Sequence, residues 1–163
     1  MAHFVAGLLD GLRSHPEVAV LPYLLSWRSR LARPVGDAAT PEGAVHLPLP
    51  AGVALRAWSR LDHPTVDRWI ARRPRPTRVI HATNFLAPPL RRGGTVVTVH
   101  DCAFLRSPDL ASSTVRRFAP ALARAIRRGA WVHTPSRHVA AEVAGHFSTE
   151  RVVAVPSGIP PLD

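Results

Sequence analysis

The chain has 163 residues, of which 46% are hydrophobic and 20% charged, and its formal net charge of +10 rests on 21 basic residues that are all arginine. That length supports one domain with a real core and leaves two full domains crowded, and the composition fits a folded globular chain better than a disordered one. Cys102 is the sole cysteine, which excludes an intramolecular disulfide and a four-cysteine zinc site. No stretch reaches the ~18 to 20 apolar residues that span a bilayer, and no signal peptide with a basic start is visible in this sequence. A reducing cytoplasm is the expected setting. The positive charge suits anionic partners, although an Arg-only, Ala- and Pro-rich composition also follows from GC-rich coding. Basic residues are nowhere interleaved with aromatics, so nucleic acid is not an expected partner. Peripheral contact with the inner face of a membrane stays open.

Phe4, Val5, Leu8, Leu9 and Leu12 recur at helical spacing and predict an amphipathic helix that ends near Ser14-His15-Pro16. A short strand is expected over 18–21, a loop over 26–43, and a second strand over 45–49, weakened by Pro48 and Pro50. Helices are predicted over 51–61 and 65–71, with Leu55, Trp58, Val66, Trp69 and Ile70 as apolar contacts. Arg72-Arg73-Pro74-Arg75-Pro76 reads as a solvated connection before Val79-Ile80, a strand ending at His81. Residues 84–89 leave it as a loop.

Arg91-Arg92-Gly93-Gly94 then turns the chain into the stretch around which the rest is organised, residues 95–104. Val96, Val97 and Val99 are β-branched, and such an unalternated run predicts a strand buried on both faces of a parallel sheet. Ser112 or Ser113 could cap the next helix, whose stripe is Val115, Phe118, Ala119, Leu122, Ala125 and Ile126. Pro120 should bend or delay that helix, and Arg116, Arg117, Arg124, Arg127 and Arg128 fall off the stripe as a solvated face. Residues 130–134 form a further strand, Pro135-Ser136 starts a helix with Val139, Ala140, Val143 and Phe147 inward, and 152–155 form a last strand. Alternating strands and helices predict an α/β fold: a Rossmann-like, doubly wound, mostly parallel sheet with helices on both faces.

In such sheets ligands bind at the carboxyl ends of the strands. His81, His100 and His133 each stand at or near a predicted strand end, so all three are expected to approach one edge, although each also suits an ordinary polar strand terminus. His100 is followed directly by Asp101, which singles out that pair. A three-histidine metal site is disfavoured because no His-x-His or carboxylate spacing supports it. A metal-dependent phosphohydrolase of the HD type is disfavoured because that dipeptide lies on helices there, whereas here it ends a β-run. Ser136 starts a helix after a strand, a place that suits either an anionic ligand or a plain N-cap. No Gly-x-Ser-x-Gly elbow, Walker loop or Gly-x-Gly-x-x-Gly loop occurs.

Three blocks occur in order: Val-Val-Thr-Val-His-Asp before the Arg-rich helix, His-Thr-Pro-Ser-Arg-His-Val-Ala-Ala-Glu, and Val-Val-Ala-Val-Pro-Ser-Gly-Ile. Together, over residues 4–159, they resemble the N-terminal domain of family 4 glycosyltransferases of the GT-B fold, a group with many bacterial mannosyltransferases. The resemblance implies an acceptor-side domain over residues 1–155, with 156–163 starting an interdomain linker. It implies catalytic roles for His100, which would contact the donor sugar, and for Asp101, which would line the same cleft. Asn84, Phe85 and Leu86 would shape the acceptor pocket, and His81, Ser136, Arg137, Ser157 and Gly158 would face the interdomain cleft. No metal and no cofactor is implied. A nucleotide-diphosphate sugar is the donor substrate of the complete enzyme, and a glycan or lipid-linked molecule is the acceptor.

The chain departs from the family pattern at Ser157, where Asn is usual, and at Cys102, where an aliphatic residue is usual. It also opens directly on a helix, so a misplaced start or a fragment boundary is expected, with the first strand of the sheet missing and two strand edges left unpaired. The donor-binding domain is the missing partner. Retaining transfer stabilises both an oxocarbenium-like sugar and a departing diphosphate, so negligible transfer is expected of this chain alone. The alternative is a non-catalytic, truncated module that binds a glycan, an anionic lipid surface or a protein partner.

Overall fold

The structure, a computed structural model, describes residues 2–25, 44–70, 79–106 and 112–158. The loop expected over 26–43 and the connection over 72–76 lie outside the described residues. Contacts gather in two units, Met1–Ala51 with Ser157–Asp163, and Gly52–Pro156.

In the first unit the predicted amphipathic helix is present as α1 (Ala2–Arg13). It stops where the Ser14 hydroxyl donates to the Gly11 carbonyl at 2.7 Å, two residues before Pro16. The expected strand over 18–21 is absent. The Val18 amide donates to the His15 carbonyl at 3.0 Å in a turn, and pairing starts only past Pro22, whose carbonyl accepts from the Val45 amide at 2.8 Å. The strand is β1 (Tyr23–Leu25), parallel to β2 (Val45–Leu47), with Tyr23 opposite Val45 and Leu25 opposite Leu47. Pro48 ends β2 because it has no amide to continue the ladder.

In the second unit, which holds all but the first residue of α2 (Ala51–Trp58), the helix is shorter than predicted, and Leu61 lies outside it and exposed. Trp58 is buried and its indole N–H donates to the Pro64 carbonyl at 3.0 Å. Of the helix expected over 65–71, the described residues show one turn, α3 (Asp67–Ile70), with 65 and 66 outside it. The Asp67 carboxylate accepts from the Arg91 amide at 3.0 and 3.2 Å, holding α3 to the turn that enters the sheet.

That sheet has four parallel strands in the order β3 (Val79–Ala82), β4 (Gly94–Thr98), β5 (Trp131–Thr134) and β6 (Val152–Ala154). The register sets His81 opposite Val96, Thr98 opposite His133, and His133 opposite Val153. Because side chains alternate, one face carries Ile80, Ala82, Val97, Val99 and Val132, and the other His81, Val96, Thr98, Trp131, His133 and Val153. The first face forms the core with Leu122, Ala125, Val139 and Val143 from the helices. On the second face Trp131 stays 51% and Val153 45% exposed.

The β4-to-β5 crossover contains α4 (Ala103–Arg106), a 3-10 turn (Val115–Arg117) and α5 (Phe118–Arg127), and α6 (Arg137–Phe147) joins β5 to β6. The predicted stripe is right but its first turn is 3-10 instead of α. Pro120 delays the α-helix as expected and sits in its first turn, where no intrahelical N–H is required. The Ser112 hydroxyl accepts from the Val115 amide at 3.3 Å, so the serine acts on the 3-10 turn and not on α5. Gly129 ends this segment at φ 92°, a left-handed position that glycine takes without strain, and donates to the Ile126 carbonyl at 2.8 Å.

The expectation that Arg124 and Arg128 form part of a solvated face is corrected. Both pair with Asp62, at 3.1 and 2.6 Å, and so tie the segment after α2 to α5. Partial burial would raise the Asp62 pKa, but hydrogen bonds from Arg128 and Arg124 outweigh it and hold the carboxyl below its ordinary value. The result is a mixed α/β fold of Rossmann-like type with parallel sheets. Among the described residues no helix is long and apolar enough to cross a membrane.

Asp62→Asn should lower unfolding stability by about 1 kcal/mol, the upper end for a part-exposed pair because two guanidinium groups share one carboxylate. Urea denaturation of the two proteins checks this.

Candidate functional site

Two groups of side chains gather toward the carboxyl ends of β3, β4 and β5. The first is a hydrogen-bonded line across the sheet. His81 Nε2 lies 2.8 Å from Thr98 Oγ1, which lies 3.1 Å from His133 Nδ1, and His133 Nε2 lies 3.1 Å from the Val155 carbonyl oxygen. A carbonyl only accepts, so His133 carries its proton on Nε2, and in the neutral ring Nδ1 is an acceptor. The Thr98 hydroxyl therefore donates to His133 and accepts from His81 Nε2–H. One direction of donation runs from β3 through β4 to β5 and on to the residue after β6.

Thr98 has no exposed surface, and the two imidazoles meet edge to face with centroids 6.0 Å apart. Burial, helped by the neighbouring His133, pushes the His81 pKa down to about 4. The ring is thus held neutral, with its one proton on Nε2 for the bond to Thr98.

The second group surrounds His100, two residues beyond Thr98. Its Nε2 donates to the Thr83 carbonyl at 2.9 Å, and its ring meets that of Phe85 at 6.4 Å. Phe85 holds a left-handed φ of 43°, which costs a side-chain-bearing residue on the order of 1 to 2 kcal/mol. That conformation is fixed by donation from the Phe85 amide to the Thr98 carbonyl at 3.0 Å. The Phe85 ring stacks on Phe118 at 5.0 Å and lies edge to Phe104 at 5.2 Å. Asn84 precedes it with a half-buried side chain whose Oδ1 is buried and accepts no hydrogen bond. Leu86 donates from its backbone to the Asn84 carbonyl, which closes the loop tightly.

The remaining expected residues have local partners. Asp101 is exposed and its Oδ1 accepts from the Ala103 amide at 2.9 Å, starting α4. Ser136 is the N-cap of α6 and accepts from the Val139 amide at 3.2 Å, which is the plain capping role. Arg137 is exposed at the first turn of α6. Ser157 and Gly158 are exposed and belong to the first unit. Cys102 is buried, and burial together with the Glu142 carboxylate pushes its thiol up to about 11, which makes it a poor nucleophile.

The three histidines do approach one sheet edge, but they fall into two groups: His81 and His133 joined by Thr98, and His100 joined to residues 83–85. Among the described residues no three His, Cys, Asp or Glu side chains are arranged to hold a metal ion. Thr98 and Thr83 were not singled out in the sequence. The available signal was a lone threonine inside a valine run, in register with a histidine.

Comparison with known protein families, with curated proteins and with solved structures gives no match.

Two expectations follow. Thr98→Val keeps the shape but leaves two imidazoles without their shared partner, and should cost ~1 to 3 kcal/mol by thermal or urea unfolding. The unfolded chain takes up a proton at the ordinary His81 value of 6.5, whereas the folded chain resists to about 4. This contribution to stability is fully present above pH 6.5 and is lost progressively as the pH falls toward 4. His81→Gln should flatten the fall in Tm across that window.

Proposed function

We propose that the chain supplies the acceptor-side half of a retaining glycosyltransferase of the GT-B fold, family 4 and mannosyltransferase-like, with the doubly wound sheet of that architecture. The observation that carries the reading is the cluster at the end of β4. There His100, oriented by Thr83, stands beside a loop whose Asn84 Oδ1 is a buried acceptor with no partner. Buried acceptors are normally satisfied, and a sugar hydroxyl is a donor that fits. The motif order Val-Val-Thr-Val-His-Asp, Thr-Pro-Ser-Arg and Pro-Ser-Gly-Ile supports the same reading.

In this reading the acceptor is a glycan or lipid-linked molecule bound at Asn84, Phe85 and Leu86, and His100 and Asp101 meet the donor sugar. A second lobe holds the nucleotide-diphosphate sugar. The bond between the anomeric carbon and the diphosphate oxygen breaks with its electron pair on the diphosphate. The acceptor oxygen bonds the same face of that carbon, and its proton passes to the departing diphosphate. Residues 84–86 position the acceptor, and closure of the two lobes excludes water. His81, Ser136, Arg137, Ser157 and Gly158 border the cleft between the lobes. The enzyme works in the cytoplasm, at the inner membrane face when the acceptor is lipid-linked.

Saturation-transfer NMR with short mannose-containing glycans and a soluble polyprenyl phosphate should show binding that Asn84→Ala and His100→Ala each weaken about tenfold, the loss of one or two hydrogen bonds to a sugar hydroxyl. Unchanged Tm values would place the effect in the site. Absence of binding to every glycan and lipid phosphate, or binding indifferent to both substitutions, would refute the acceptor role.

A further inference from the structure

Between the end of α2 and the 3-10 turn before α5 lies a hollow of about 340 Å³ lined by Ser59, Arg60, Ser113, Arg116, Arg117 and Pro120. Among the described residues that line it, arginine supplies the only charges. Three other arginines of this unit have carboxylate partners: Arg124 and Arg128 pair with Asp62, and Arg106 pairs with Glu142 at 3.1 Å. Among the described residues the side chains of Arg60, Arg116 and Arg117 have neither an ion pair nor a hydrogen bond, and the Ser113 hydroxyl is likewise without a partner. Three like charges facing one concavity repel one another, so an anion entering there relieves the repulsion as well as gaining contacts.

The hollow is held in shape by bonds outside it. Asp62, two residues past Arg60, is clamped to α5, and α5 directly follows Arg116 and Arg117. That clamp fixes the spacing between the two elements that bring arginines to the hollow. Ser59 is buried, its hydroxyl donates to the Arg56 carbonyl at 3.1 Å, and Pro120 is rigid, so floor and wall are set before any ligand arrives. Such pre-organisation lowers the ordering cost of binding.

We propose that this hollow is a binding site for a phosphate group: a phosphate dianion or a diphosphate, free or carried on a lipid headgroup. Guanidinium forks match the oxygens of phosphate in bidentate pairs, and three of them call for more negative charge than one carboxylate brings. Arg60, Ser113 and Arg116 are exposed, so the hollow is open to solvent and the phosphate can be the end of a larger molecule. The site stands independently of the glycosyltransferase reading, since it uses none of the residues at the strand ends.

Calorimetric titration with inorganic pyrophosphate, and flotation with phosphatidic acid vesicles, whose terminal phosphate is a monoester, against phosphatidylcholine vesicles, tests the site. Arg60→Gln and Arg117→Gln should each weaken binding about tenfold, the loss of one charge-assisted contact. Arg127→Gln, on the exposed side of α5 and outside the hollow, should change it less than about twofold. Ser113→Asp, which adds a carboxylate at the rim without touching an arginine, should abolish it. Pyrophosphate binding with this pattern assigns a free phosphate ligand. Retention on phosphatidic acid vesicles alone, with the same pattern, assigns a lipid headgroup. Equal weakening by all three glutamine variants would mean diffuse charge and overturn the site, as would the failure of both probes to bind the parent chain.

Discussion

The hydroxyl of Thr98 is the constraint on which the second unit depends. Parallel strands are joined by slanted main-chain bonds that set spacing but tolerate a sliding register. A single oxygen that must accept from His81 and donate to His133 tolerates none, because a slip of one residue would turn either imidazole to the opposite face. The bond from His133 to the Val155 carbonyl extends the same demand to the chain leaving β6. Burial of the hydroxyl strengthens the constraint, since a dry donor or acceptor left unpaired is far more costly than a bond made is favourable.

The His100 loop uses that fixed sheet as its support. Phe85 can occupy a left-handed conformation only because its amide is held by the Thr98 carbonyl and its ring lies between Phe118, Phe104 and His100. The hydroxyl of Thr98 fixes the strands, and its carbonyl fixes the loop. A side chain such as that of Asn84, with its acceptor unfilled, is thus placed by rigid elements instead of by a wandering loop. Precision of this kind is what a site for small polar ligands needs.

The legibility of these features in the sequence divides along physical lines. The strands at 79–82, 94–98, 131–134 and 152–154 were readable because β-branched runs between Gly, Pro and Arg breakers have few alternatives. Ser136 as a helix start was equally plain. The misreadings arose where a local bond outweighs the pattern. Val18 gives its amide to a turn, and the first turn of the Arg-rich helix tightens to 3-10 ahead of Pro120. Of the site, the arrival of histidines at one edge was legible from their positions at strand ends. Their division was not, because it depends on which hydroxyl and which carbonyl lie within 3 Å, and that is settled by register. Asn84 was named only through the family resemblance, and its unfilled acceptor was not legible, since that exists only once its surroundings are folded.

The charge of the chain also resolves into parts that composition hides. As a total, +10 suggests only a general affinity for anions. Distributed on the fold, Arg124 and Arg128 serve as structural ties to Asp62, and Arg106 is matched by Glu142 across α4 and α6. Among the remaining described arginines, Arg60, Arg116 and Arg117 meet around one hollow from two elements far apart in sequence. The Asp62 clamp that pairs with two arginines also fixes the two elements that carry three others. The clamp therefore acts through geometry, since it holds the segment carrying Arg60 against the helix that follows Arg116 and Arg117.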